Sequence, residues 1–319
     1  MPRVQVSGVA YRLLCTVTTV LTLAVALPNA LASPVASTTL VRDALGREVA
    51  IPDSPQRIVS LFASNTELLA ALKLEPRIVG IEDFTRYPPG IRDGRVIVGG
   101  RLGFSAEAIA RVRPDLVVLT PARGAASTLI RPLSLIGIPV IVLMHSNVEQ
   151  IFTNLRLLGR AASVDGHAER VVSDLRARLN VVQARVGTLS PVRVYVETGE
   201  NDRGALQTLR EGTYTADAVR LAGGRNVFAG LNTITQVSAE AVIRADPQVI
   251  FVARNNSFDP ASIGRRPGWQ AVSAVREGRV YAIPRALLLI PGPRVVEGVE
   301  KMAALLYPLT VYGAVKGAP

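Results

Sequence analysis

The side chains able to do chemistry in this sequence are carboxylates and arginines, because the usual nucleophile and metal-ligand sets are nearly missing. One cysteine, Cys15, and two histidines, His145 and His167, occur in 319 residues. That argues against a zinc cluster, a disulfide framework or a Cys/His pair. No Gly-x-Ser-x-Gly, phosphate-binding loop, His-Glu-x-x-His or dinucleotide fingerprint is present, and His145, just after an apolar run, reads as an ordinary loop histidine. A pair of acids stands out instead. Ser105-Ala-Glu-Ala-Ile-Ala-Arg-Val-Arg-Pro114 returns 133 residues later as Ser238-Ala-Glu-Ala-Val-Ile-Arg-Ala-Asp-Pro247, with six of ten positions identical. An apolar run follows each copy of this internal repeat. In both, Ser caps a helix, Glu107 or Glu240 stands in its first turn, and Pro114 or Pro247 closes it. The helix dipole favours an acid there by about 0.3–1 kcal/mol whatever its task. Two matched copies also offer equivalent footholds to a two-fold symmetric partner carrying basic residues.

The elements that must position these acids alternate in type. From Arg57, short β-rich runs (Ile58–Leu61, Ile78–Ile81, Leu116–Leu119, Val140–Leu143) interleave with helical patterns at Thr66–Leu72 and Ala106–Val112, the α/β rhythm of a mostly parallel sheet. The rhythm restarts after Ser190-Pro191 with Val192–Val196, helices at Ala216–Leu221 and Ala239–Ala245, and Val249–Val252. Between the two halves, Ala168, Val172, Leu175, Leu179, Val182 and Val186 are spaced 4, 3, 4, 3, 4 among charged neighbours. This is one amphipathic helix, about 36 Å long at 1.5 Å per residue, and a strut of that kind predicts little lobe closure.

Composition narrows the class. With 49% hydrophobic and 19% charged residues the chain can bury a sizeable core. Arg3 and Arg12 precede an apolar run, Leu13–Leu27, then Pro28 and Ala30-Leu31-Ala32, which reads as a secretory signal cut after Ala32. About 15 apolar residues fall short of the roughly 20 that span a bilayer, and Leu14 before Cys15 is too bulky for a lipoprotein cleavage site. Losing those two arginines lowers the formal charge from +11 to +9 and leaves no cysteine. The arginines are dispersed, without a polybasic run or aromatic-rich motif, so an anionic small molecule is favoured over nucleic acid. Ligands of parallel sheets gather at the carboxyl ends of strands. Those ends supply Arg123 in the first half and Glu197, Thr198, Tyr214 and Arg254 in the second, with Phe84 and Tyr87 as loop aromatics. The aliphatic loop Ala286–Ile290 either packs inward or touches an apolar ligand surface, and each arginine has solvated surface as its plain alternative.

Arg57-Ile-Val-Ser-Leu with Asn65-Thr-Glu-Leu68, Tyr87-Pro-Pro89, the Ser-Ala-Glu helix ahead of Pro114-Asp-Leu-Val, Trp269 with Ala274-Val-Arg-Glu-Gly-Arg-Val-Tyr281, and Gly292-Pro-Arg294 resemble the periplasmic binding proteins of iron-siderophore, haem and cobalamin ABC importers. The match runs in order over nearly the whole mature chain. The resemblance implies a signal peptide over 1–32, two Rossmann-like α/β lobes over 33–160 and 190–319, and a connecting helix over 161–189. It further implies a periplasmic, monomeric protein without resident cofactor or catalytic group, holding its ligand between the lobes and docking through Glu107 and Glu240 on permease arginines. Haem binders of this kind often carry a Tyr where Gly100 stands, and corrinoid binders a Trp where Arg101 stands. Hydroxamate-siderophore binders place an Arg there, so the resemblance makes Arg101 the first ligand contact. A guanidinium suits clustered anionic oxygens at any physiological pH. A ferric siderophore is therefore the expected cargo, with cobalamin or haem as the alternative. A secreted enzyme, or a sensory module that dispenses with the two acids, is the rival from another class.

Overall fold

The computed structural model describes residues 1–2, 37–121, 125–201, 205–230, 235–254 and 258–308. The signal segment from Arg3, and Arg123, lie outside the described residues. A hairpin, β1 (Thr38–Arg42) with β2 (Glu48–Pro52), opens the fold and went unread in the sequence. The first half continues with β3 (Ile58–Ser60), α1 (Ala63–Ala71), β4 (Ile78–Glu82), β5 (Val96–Gly100), β6 (Gly103–Phe104), α2 (Ala106–Arg111), β7 (Leu116–Leu119), α3 (Ala125–Leu135), β8 (Val140–Val142) and α4 (Val148–Ala161). Helix α5 (Asp165–Val186) leads to the second half: β9 (Val192–Glu197), β10 (Gly199–Glu200), β11 (Leu206–Gln207), α6 (Tyr214–Leu221), β12 (Gly224–Asn226), β13 (Gln236–Val237), α7 (Ala239–Ala245) and β14 (Val249–Ala253). The chain then adds α8 (Ala261–Gly264), α9 (Ser273–Arg276), β15 (Val280–Ile283), α10 (Arg285–Leu288) and α11 (Val295–Leu306).

The duplication reaches beyond the Ser-Ala-Glu segment. The first sheet runs β6-β5-β4-β3-β7-β8 and the second β12-β9-β14-β15. Leaving out the outer strands of the first, each half has its first strand beside its second on one side and its third on the other, with the fourth beyond, all parallel. Strands β3, β7 and β14 are buried at every position, as expected of parallel strands covered on both faces. Ser105 accepts the Ala108 amide at 3.1 Å and Ser238 the Ala241 amide at 3.2 Å, so both helix caps form. The buried residue of each short helix, Ile109 or Val242, sits at the repeat spacing. The prolines do not act as expected, however. Arg113 and Asp246, which precede them, have φ of 46° and 40°, so a left-handed residue turns the chain before Pro114 and Pro247 are reached.

The apolar seam of α5 is buried as the spacing predicts, at Ala168, Val172, Leu175, Leu179, Val182 and Val186. Its 22 residues reach about 33 Å. The helix is not a bare strut, since it lies along α4 of the first half and α11 of the second. Arg156 pairs with Glu169 at 2.8 Å on one side, Arg178 with Glu300 at 2.7 Å on the other. The seam belongs to one continuous core that takes in Ile58 and Leu116 of the first sheet and Val194, Phe251 and Met302 of the second half. Two outer cores complete the packing, one under α2 and α3 and one under α7 and α8 that encloses Trp269. In the aliphatic loop Leu287 and Leu288 pack inward, as part of α10.

Helices α4 and α5 meet at Gly159, where a Cβ would stand 2.5 Å from the Ala168 Cβ. Gly159→Ala gains about 1 kcal/mol of helix propensity and loses about 1–3 kcal/mol to overpacking. The expected outcome is a lower denaturant midpoint, partly restored in Gly159→Ala/Ala168→Gly.

Candidate functional site between the sheets

All strands of both main sheets except β6 run parallel, so each sheet gathers its outgoing loops at one end. Two contacts show that these ends face one another. Arg294, which opens α11, donates to Glu67 of α1 from Nε at 3.0 Å and Nη2 at 2.5 Å, and the Val148 amide that opens α4 donates to Asp217 Oδ2 of α6 at 3.0 Å. The space between is the cleft in which strand-end residues would meet a ligand.

The expected contacts do not form one cluster. Arg101 is exposed in the turn between β5 and β6, with no hydrogen bond or ion pair to the other described residues. Phe84 is 45% exposed in the loop after β4. Tyr87, 37% exposed, lies in the same loop, but the Arg294 guanidinium sits 3.8 Å from its ring centre, which commits one face to a cation–π contact. Tyr214 opens α6, largely enclosed against the central core; burial and then the Glu67 charge push its phenol up to about 12. Arg254 donates to the Ala253 carbonyl and stands 3.9 Å from Glu197. Glu197 is no ligand group, being buried and gripped by Arg266 at 2.6 and 3.0 Å. Thr198 is tied through its carbonyl to Arg285. Glu107 and Glu240 are both exposed, each in the first turn of its helix, and hydrogen bonds from Ser238 and the helix amide hold the Glu240 carboxyl below its ordinary range. Among the described residues no group of three or more His, Cys, Asp or Glu side chains could hold a metal.

Two features were missed. The first is the Glu67–Arg294 pair, although both residues stand in quoted motifs. Burial pushes the Glu67 carboxyl up while Arg294 opposes the shift. Gly292 is required beside it because a Cβ there would fall 2.6 Å from Glu67 Oε2. The second is a polar cluster where β7 and β8 end. Asn154 Nδ2 donates to the Met144 carbonyl at 2.7 Å and faces His145 Nδ1 at 3.3 Å, so Nδ1 is the acceptor. His145 Nε2 then donates toward Asn65 Oδ1 at 3.2 Å, with Thr120 Oγ1 at 3.3 Å. Burial lowers the imidazole to about 4, so His145 is a neutral member of this network.

A cavity of about 440 Å³ opens beside the Asp217 contact, lined by Ser146 and Asn147 from the first half and by Thr213, Arg220 and Arg225 among others from the second. Arg101, Phe84, Tyr87, Tyr214 and Arg254 do not line it.

This architecture, two similar parallel-sheet halves bridged by one long helix around a cleft, defines a two-lobed binding protein. The chain belongs to the periplasmic binding protein family, whose model matches residues 58–287. An uncharacterized ABC transporter substrate-binding lipoprotein of Bacillus subtilis is 26% identical over 275 residues, covering 85% of this chain and 86% of that protein. The crystal structure of the periplasmic vitamin B12-binding protein of Vibrio cholerae superposes with a TM-score of 0.68 at 25% identity, over 82% of this chain and 100% of that one. A periplasmic haem-binding protein of Pseudomonas aeruginosa superposes with a TM-score of 0.66 at 26% identity, over 80% and 93%.

The neutral His145 makes acid stability testable. Its folded value lies below the ordinary 6.5, so the unfolded chain takes up the proton first. Its contribution is complete above pH about 6.5 and lost as pH falls toward about 4, a change of about 3 kcal/mol. Denaturant midpoints across that range should fall less steeply for His145→Asn than for the parent.

Proposed function

We propose that the protein is an exported substrate-binding protein of an ABC importer. It takes an anionic metal chelate, a ferric siderophore first among them, into the cleft and presents it to a dimeric permease through Glu107 and Glu240. In this reading residues 1–32 are a signal removed on export to the periplasm, residues 33–160 and 190–319 are the lobes, 161–189 is the connecting helix, and the protein acts as a monomer. The reading adds binding and delivery without chemistry on the ligand, in keeping with relatives named as binding proteins.

The observation that carries the choice of cargo is Arg101, an exposed cation at a strand end without a protein partner among the described residues. A planar guanidinium offers several donors to clustered oxygens, and a charge-assisted hydrogen bond is worth about 1.5–3 kcal/mol. Arg123 and Arg254 would supplement it, with Phe84 and the open face of Tyr87 as aromatic walls and Tyr214 behind them. Gly100 offers no axial ligand to haem. Vitamin B12 is a second reading, supported by a relative named vitamin B12-binding protein in Vibrio cholerae, 26% identical over 81% of this chain.

Calorimetric titration of the chain from residue 33 with ferric hydroxamates, ferric catecholates, haem and cobalamin tests this. A ferric siderophore should bind, and Arg101→Ala should weaken it at least tenfold. Tight cobalamin binding without a siderophore response would reassign the cargo. Glu107→Ala/Glu240→Ala should abolish uptake by cells while leaving ligand affinity unchanged, and unimpaired uptake would refute the docking role.

A further inference from the structure

The two contacts across the cleft are related by the same duplication that relates the sheets. Helices α1 and α6 follow the first strands of their halves, β3 and β9, and α4 and α11 follow the last, β8 and β15. Glu67 on α1 reaches the start of α11 in the opposite half. Asp217 on α6 reaches the start of α4, again in the opposite half. Each half thus sends an acid from its first helix to the amino end of its partner's last helix.

We infer that these two carboxylate contacts act as paired latches that fix the opening of the cleft. Their placement carries the argument. Helix α1 leads from β3 to β4, whereas α4 follows β8 at the far edge of the sheet. The roots of these two helices are nonetheless adjacent, with His145 just ahead of α4 donating to Asn65 of α1 at 3.2 Å, so an opening of the cleft has to break both latches. Neither is a loose surface pair. The Glu67 side chain is 1% exposed and that of Asp217 18%. The first latch is stacked on Tyr87 and leaves no room for a Cβ at Gly292. Asp217 is further held by Arg220 at 2.6 Å. Breaking the first would strand a buried charge, which is costly, and breaking the second would leave an amide at a helix start without its acceptor. Helix α5 and the core behind it set the distance between the halves, and the latches set their angle.

Spin labels at cysteines replacing Arg111 on α2 and Arg244 on α7, both exposed and one in each half, read that angle in a Cys15→Ala background. The parent should give a narrow distance distribution. Asp217→Ala should broaden it, and Asp217→Ala combined with Glu67→Gln/Arg294→Met, which removes both members of the buried pair together, should broaden it at least twofold. Where the combined variant fails to melt cooperatively, Asp217→Ala alone decides. An unchanged width in the folded variants would overturn the latches and leave the angle to α5 and the core.

Discussion

Glu67 has almost no access to water, and a carboxylate in that position has to be matched. Its match, Arg294, lies 227 residues along the chain. Much of the interface between the halves follows from that need. Gly292 has to be a glycine so that the backbone can approach the carboxylate. The loop after β4 has to return so that Tyr87 covers the guanidinium. Tyr214, at the start of α6, has its phenol pushed up chiefly by burial and further by the same charge. The aromatic groups between the sheets are thus arranged around an ion pair before any ligand arrives.

What was legible in the sequence was whatever has a local period. The α5 seam can be counted off in fours and threes, and the residues so counted are the ones that are buried. The Ser-Ala-Glu repeat announces itself by identity, and the matched strand orders extend it to whole halves. Apolar runs marked the central strands because parallel strands buried on both faces need no alternation. The hairpin β1–β2 and the two-residue strands β10, β11 and β13 were not read, since so few residues carry no period. Strand β1 alternates in the fold, with Val41 buried and Thr38, Leu40 and Arg42 exposed, but an apolar residue on the exposed face hides that period in the sequence.

The candidate site was less legible because its geometry rests on contacts distant in sequence. Tyr87 and Tyr214 could be marked as aromatics near strand ends, but nothing local reveals that one lies under Arg294 and the other near Glu67. His145 looked like an ordinary loop histidine because its partners, Asn65, Thr120 and Asn154, are 9 to 80 residues away. Glu197 was marked by its place at the end of β9, and only the fold shows Arg266 already occupying it. Arg101 was marked only through the resemblance, and in the fold it stands exposed in the short β5–β6 turn with no hydrogen bond or ion pair among the described residues.

The buried indole of Trp269 has a practical consequence. It is the sole tryptophan of the chain, packed edge-on to Tyr195 with the Arg266 guanidinium 4.8 Å from its ring centre, and it belongs wholly to the outer core of the second half. Its emission is a native optical gauge for one half of a duplicated molecule. Compared with circular dichroism, which sees both, it would reveal whether the twins come apart in a single event or one after the other.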